Sequence, residues 1–268
     1  MNWYVPNDLK VNFISGFTFY KNCKWSICPR YKQSFIPDKV ENNDLVFLNL
    51  DYVEHFISYI TKNTPKSKFR LVTHNSDRDF TYEMFSKLEN YCNKIYAINC
   101  TFQNEKVIKI PIGFNDQSTE VLDKQDFEFI NKDNLIYLNF RTGHHISRKS
   151  CFEYFSKFDW VNINDETKYL PVSEFYSKLK HYKYCISPRG AGIDTHRLYE
   201  CLLFGVIPII KSSELDDLYE GMPFLKVNEW SEITHDFLIQ SYEENLSKYF
   251  EWKEKNKNWF LPEFWLHK

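Results

Sequence analysis

The sequence predicts an α/β protein built from two halves, each a parallel sheet with helices on both faces. Strand-like apolar runs alternate with stretches of helical periodicity, and the alternation restarts after a polar stretch at Asn115–Asn134. Helix after strand, repeated, points to parallel sheets, because parallel strands need a crossover connection. A glycine-rich turn late in the chain then suggests where a ligand belongs.

In the first half, Leu45–Leu50 (LVFLNL) and Phe69–His74 (FRLVTH) are short apolar runs, with a helix-like stretch after Asp51. Phe80, Met84, Leu88 and Tyr91 recur at helical spacing, and KIYAINC and KVIKIPIG read as further strands. In the second half, Asn134–Phe140 (NLIYLNF) is a strand, and Cys151, Phe152, Phe155 and Phe158 mark a helix. WVNIN, YKYCIS and VIPII are strands with helices between them. From Thr234 to about Asn256 a helix carries Leu238, Tyr242 and Tyr249 on one face. The tail, WFLPEFWLHK, is aromatic enough that it is expected to pack on the body.

The bulk numbers bound the function. Of 268 residues, 43% are apolar and 26% charged, which suits a core-forming globular chain. The net charge of −2 argues against nucleic acid as a bulk partner. Lys outnumbers Arg 27 to 7, so each Arg is notable. Seven Cys without a C-x-x-C pair read as free thiols of a reducing compartment. The N-terminus lacks a signal-peptide pattern and no apolar run is long enough to span a membrane, so a cytoplasmic protein is expected. Oligomeric state is not readable.

Ligands of open parallel sheets bind at the carboxyl ends of the strands. The segments there are Asn49–Asp51, His74–Asp79, Pro111–Asn115, Asn139–Arg148 and Ser187–Arg197. From these, Asp51, Gly113, Asn139, Arg141 and Asp194 are expected to line the ligand-binding cleft.

The last segment carries most information. SPRGAGIDTHRLYECLLFGVIPII, Ser187–Ile210, holds three of the seven Gly in the chain. Pro188 ends the strand, because it cannot donate to a ladder. Gly190 and Gly192 would let the backbone turn and a ligand come close. Asp194 or Thr195 can cap the next helix, which Gly205 ends. The N–H groups and dipole of a helix N-terminus attract anions, and Arg189 and Arg197 flank this one, which suggests a diphosphate. Thr195 and His196 belong to the same anion site, and Glu200 could accept hydrogen bonds from a ribose diol. The alternative stays open: Arg197 and Glu200, three apart on a helix, could simply pair. The segment is neither a Walker loop nor G-x-G-x-x-G.

Ser187-Pro-Arg-Gly-Ala-Gly-Ile-Asp-Thr-His-Arg-Leu-Tyr-Glu200 with Phe204-Gly-Val-Ile-Pro208 resembles the donor-binding motif of exostosin-like glycosyltransferases, in particular their shorter bacterial and viral members. Thr73–Asp77, Pro111–Gly113, Asn139–Arg148 and Lys226–Trp230 with Ile233-Thr234 support the likeness, which spans Leu45 to Thr234. The resemblance implies a GT-B fold of two facing Rossmann-like domains with a cleft between them. Residues 1–125 would form the acceptor domain and 126–268 the donor domain, the final helix packing back on the first. It also implies transfer from a nucleotide-diphosphate sugar, a UDP-sugar being expected, to a glycan acceptor, with no metal or other cofactor required. Carried over by position, Arg148, Arg189 and Arg197 would hold the diphosphate and Glu200 would face the ribose. The chain departs from animal exostosins in lacking a membrane anchor, in its length, and in Ala191.

Such a reaction needs a base for the acceptor hydroxyl. Asp77, just after the Phe69–His74 run, is the candidate, and a carboxylate there suits inversion by single displacement. His74 is the runner-up. Asp77 could equally cap or turn into the next helix. Asp77-Arg78-Asp79 also spells D-x-D, a metal motif, but with 16 Asp about one such triplet is expected by chance. Trp3, Trp25 and Trp160 could stack on sugars, though most aromatics should be core. The competing readings are a nucleotide- or glycan-binding module without catalysis and a metal-dependent D-x-D transferase.

Overall fold

The computed structural model describes residues 12–32, 34–164 and 170–268. The chain divides into two compact units, residues 1–119 with 258–268, and residues 120–257. Each contains a five-stranded parallel sheet. The expected α/β architecture with two parallel sheets is therefore present.

The first sheet runs β1 (Trp25–Ile27), β2 (Leu45–Asn49), β3 (Phe69–His74), β4 (Cys92–Ala97), β5 (Val107–Lys109), in sequence order. Side chains alternate across it. Val46, Leu48, Leu71, Ile95 and Ala97 join a core with Val53, Phe56 and Ile60 of helix α2 (Val53–Lys62) and Met84, Phe85 and Leu88 of α3 (Tyr82–Leu88). The intervening residues Phe47 and His74 face the aromatics of a short helix, α1 (Gly16–Lys21), with Tyr20 and Phe19 against them. The terminal segment belongs to this unit: Phe260 accepts from the Ile14 N–H at 2.7 Å, and Leu266 accepts from the Tyr96 hydroxyl at 2.9 Å. Trp259 and Trp265 are buried, which is where the aromatic tail goes.

The polar stretch after Asn115 contains the change of unit, at a short helix, α4 (Thr119–Leu122). The second sheet comprises β6 (Asn134–Leu138), β7 (Val161–Ile163), β8 (Tyr182–Ile186), β9 (Ile207–Lys211) and β10 (Leu225–Val227), in spatial order β10-β9-β8-β6-β7. Its helices are α5 (Ile146–Phe155), α6 (Val172–Leu179), α7 (His196–Leu203) and α8 (His235–Lys255); α9 (Pro262–Leu266) lies in the terminal segment. Thr234 caps α8 by accepting from Phe237 N–H, and Leu238, Tyr242 and Tyr249 are buried, as their spacing predicts.

Strand order places the site. From β6 the chain moves outward to β7, then returns past β6 to β8 and continues to β9 and β10. The order reverses between β6 and β8, so the loops after these two strands part there and leave a crevice at their carboxyl ends. The first sheet, in sequence order throughout, has no such reversal among its described strands.

Gly205 ends α7. Val206 N–H donates to Cys201 carbonyl at 2.9 Å and Gly205 N–H to Leu202 carbonyl at 3.3 Å, the paired bonds of a Schellman cap. Its φ of +65° needs Gly, and a Cβ there would lie 2.8 Å from Phe129.

Candidate functional site

The loops at the reversal point are Asn139–His145, after β6, and Ser187–Thr195, after β8. Each receives an arginine from the other side. Arg148, in the first turn of α5, donates Nε to the Arg189 carbonyl at 2.9 Å. Arg197, in the first turn of α7, donates Nη1 to the Asn139 carbonyl at 2.6 Å. Asn139 Nδ2 in turn donates to the Tyr137 hydroxyl at 3.0 Å, and the Arg141 carbonyl lies 3.5 Å from Arg148 Nη1. Thus Asn139, Arg141, Arg148, Arg189 and Arg197, far apart in sequence, are assembled at one place.

Gly190 is explained by approach rather than by φ. It does not sit at positive φ; a Cβ there would stand 3.2 Å from Arg148 Nη2, so a side chain would press on the arginine that clamps the turn. Gly192 is buried in the same turn, while Ala191 is exposed.

Arg197 and Glu200 form the pair that their spacing allowed. Arg197 Nε meets Glu200 Oε2 at 3.1 Å, the guanidinium lies 4.1 Å from the Phe175 ring centroid, and Glu200 Oε1 accepts from the Tyr176 hydroxyl at 3.1 Å. Glu200 is 7% exposed with both oxygens engaged. Expected at a ribose, it instead neutralises Arg197 inside the unit. Asp194, expected to line the cleft, is also interior, at 3% exposure. Its Oδ1 accepts from the Thr195 N–H and the Tyr219 hydroxyl, both at 2.8 Å, and Oδ2 accepts from the Tyr199 hydroxyl. Burial, with the Asp194 charge beside them, holds both phenols well above their usual range.

Because Asp194 takes the Thr195 N–H, Thr195 becomes the N-cap of α7, yet its side chain caps nothing. The first turn of α7 contains no acidic residue. Thr195 is 9% exposed, and its Oγ1 is buried without a hydrogen-bond partner. A buried hydroxyl left unpaired costs about 1–3 kcal/mol, so its place needs a reason. Thr195 lines a pocket of about 280 Å³ together with Ser147, Ser187, Arg189, Lys211 and Glu214, over Ile193, Leu198, Ile210 and Trp230. This pocket opens at the carboxyl ends of β8 and β9. Two helices begin at it: α7 at Thr195 and α5 beside Ser147. His145 caps α5 by accepting from Ser147 N–H at 3.2 Å. Partial burial, then Arg189 and Arg148, hold its imidazole below the ordinary histidine range. His196, the first residue of α7, is half-buried.

In the first unit, Asp77 is exposed in the bend after β3. It is not the cap of α3: Thr81 accepts from the Met84 N–H there. Asp51, exposed after β2, accepts from the Ser76 hydroxyl at 2.5 Å. His74 is 1% exposed, its ring 5.4 Å from that of Phe19 and 6.4 Å from that of Phe47, and Asn75 N–H donates to its Nδ1 at 2.8 Å. It is a buried imidazole packed between aromatic rings. Gly113, at φ +65°, would put a Cβ 2.2 Å from the Ile14 carbonyl, so it serves the packing of that loop. Trp25 donates to Asp44 at 2.8 Å and Trp160 packs on Phe158 and His235; Trp3 lies outside the described residues.

All seven Cys are free thiols. Among the described residues, no group of three or more His, Cys, Asp or Glu is placed to hold a metal ion, and no helix is long and apolar enough to cross a membrane.

No family model and no curated protein matches the chain. Among solved structures it is similar to the apo structure of OtsA, with a TM-score of 0.50 at 9% identity, over 85% of this chain and 72% of that one. The chain has the GT-B fold of glycosyltransferases. The GtfA/B complex matches at a TM-score of 0.41 and 9% identity, over 85% of this chain and 56% of that one. The pneumococcal O-GlcNAc transferase GtfA, in complex with UDP and GlcNAc, matches at 0.39 and 12%, over 84% and 56%. The chain thus spans little more than half the length of these last two.

Proposed function

We propose that this protein is a glycosyltransferase that moves a sugar from a nucleotide-diphosphate sugar, a UDP-sugar, to a hydroxyl of a glycan acceptor, with inversion and without a metal. The observation that carries the reading is the pocket at the start of α7, lined by Arg189 and by Thr195, whose buried hydroxyl has no hydrogen-bond partner. A helix N-terminus, a hydroxyl and a guanidinium together suit a diphosphate. In transfer the sugar–oxygen bond to the diphosphate breaks, and charge develops on the leaving phosphate. Groups already pointing there stabilise that charge without reorganising.

The arginines divide the work. Arg189, on the pocket wall, contacts the diphosphate. Arg148 and Arg197 act one step back, holding the two loops in register through each other's carbonyls. Asp77 supplies the base, since it is exposed, spared from capping, and follows β3. The exostosin-like motif supports Arg189 at the diphosphate; it would place Arg148 and Arg197 there as well.

A thermal-shift series with UDP, GDP and CDP and their sugars, each with and without EDTA, tests the reading. One nucleotide should raise the melting temperature equally in both conditions, and at 100 times Kd it should add about 2.7 kcal/mol. No shift with any of them removes the donor assignment, and a shift that EDTA abolishes and Mn²⁺ restores removes metal independence. Asp77→Asn should abolish turnover while leaving donor affinity within a few-fold of wild type; surviving turnover would place the base elsewhere.

A further inference from the structure

A nucleotide sugar presents vicinal diols as well as phosphates, and these hydroxyls need acceptors. The sequence points to Glu200 for that task, but Glu200 is buried against Tyr176 and Arg197 and is not among the residues that line the pocket. Among the described residues lining the pocket, Glu214 is the one carboxylate. It follows β9 in the segment Lys211–Glu214, so it enters from the strand beside β8, whose loop carries Thr195 and Arg189. The pocket therefore has cationic and helix-terminal groups from the β8 loop and hydroxyl and carboxylate groups from the β9 loop, with Ser212 and Ser213 next to Glu214. Lys211 is paired with Glu229 at 2.8 Å, so it does not turn the β9 side into a second cationic wall.

We propose that Glu214 is the residue that recognises a vicinal diol of the donor. This rests on the reading of the pocket as a nucleotide-sugar site. A carboxylate can accept both hydroxyls of a cis diol, and such charge-assisted bonds are stronger than neutral ones. The same carboxylate repels phosphate, which orients the donor with its phosphates toward Thr195 and Arg189. The diol has two possible sources, the ribose and the transferred sugar, and they are separable by ligand choice.

The experiment is calorimetric titration of the full chain and its Glu214→Gln and Glu214→Ala variants with UDP, 2′-deoxy-UDP, UDP-glucose, GDP, 2′-deoxy-GDP, GDP-mannose and inorganic pyrophosphate. Glu214 is exposed, so both variants should fold. Wild type should favour the diol-bearing ligand of a pair by roughly tenfold, and both variants should lose that preference while binding pyrophosphate as wild type does. Loss of the preference between a nucleotide and its 2′-deoxy form assigns the ribose. Loss of the preference between a nucleotide sugar and its nucleotide assigns the transferred sugar. Variants that keep both preferences overturn the Glu214 assignment and leave the donor pocket standing. A wild type that binds none of the ligands overturns the pocket reading and this assignment with it.

Discussion

At the scale of single residues, Thr195 is the most informative. Its hydroxyl is buried and unpaired: the Leu198 N–H that an N-cap hydroxyl would accept from donates to the Thr195 carbonyl at 3.2 Å, and neighbouring Asp194 bonds Tyr199, Tyr219 and the Thr195 N–H. Thr195→Val keeps the shape and removes the unpaired group. It should raise the unfolding midpoint, by up to about 1–3 kcal/mol of stability, and weaken nucleotide-diphosphate binding. Calorimetry and urea unfolding on the same sample check both signs; a variant that loses stability would mean the hydroxyl has a partner in the folded state. The sequence marked Thr195 as a cap candidate but could not show that its cap bond is unmade, since that depends on the local geometry in which the Leu198 N–H meets the Thr195 carbonyl. His74 failed as a candidate for a related reason. Its place just after the last apolar residues of β3 reads as a ligand edge, but side-chain alternation sends it to the face covered by Phe19.

At the scale of elements, α6 and α7 end on the same buried cation. Lys132 Nζ donates to the Lys180 and Phe204 carbonyls, both at 2.7 Å, and these are the C-caps of the two helices. A cation there satisfies orphan carbonyls and complements both dipoles. Lys132 is 8% exposed, and burial pushes its amine down to about 8. The folded pKa is then below the unfolded value of about 10.4, so between those two pH values the unfolded chain binds more protons. Its contribution to stability should therefore rise with pH across that window and be flat below it. Urea unfolding of wild type and Lys132→Met at pH 7.5 and pH 9.5 measures this: wild type should gain relative to the variant. Equal change in both would mean that Lys132 is charged throughout. Lys132 sits in the polar stretch that reads as a linker, so nothing local signals that it fastens two helices. The Arg197–Glu200 pair, by contrast, was legible as an alternative from spacing alone, because both partners lie on one helix.

At the scale of the whole molecule, two parallel sheets differ in one respect that matters for function. The second reverses its strand order and so has a crevice at β6 and β8, while the first does not. Donor binding should accordingly be local to the second unit. Hydrogen exchange with saturating nucleotide should slow amides in residues 139–148 and 187–198 and leave those of β2 and β3 unchanged. Slowing confined to the first sheet would place the nucleotide in the wrong unit. The longer strands of both sheets were readable, because buried parallel strands are continuous apolar runs: FRLVTH is β3 without a residue's difference. The three-residue strands β1 and β10 carry too little pattern for that and are defined by their neighbours.

By itself, the sequence determined the alternation of strands and helices, the helix that Gly205 must end, and the glycine-rich turn that follows β8, because these depend on local periodicity and backbone freedom. Only the tertiary structure decided which polar groups line a pocket. Glu200, Asp194 and His74 are buried among partners inside the units, and the pocket is lined instead by Thr195, Arg189 and Glu214. The physical reason is that a buried polar group takes whatever partner packing brings to it, and those partners come from elsewhere in the chain.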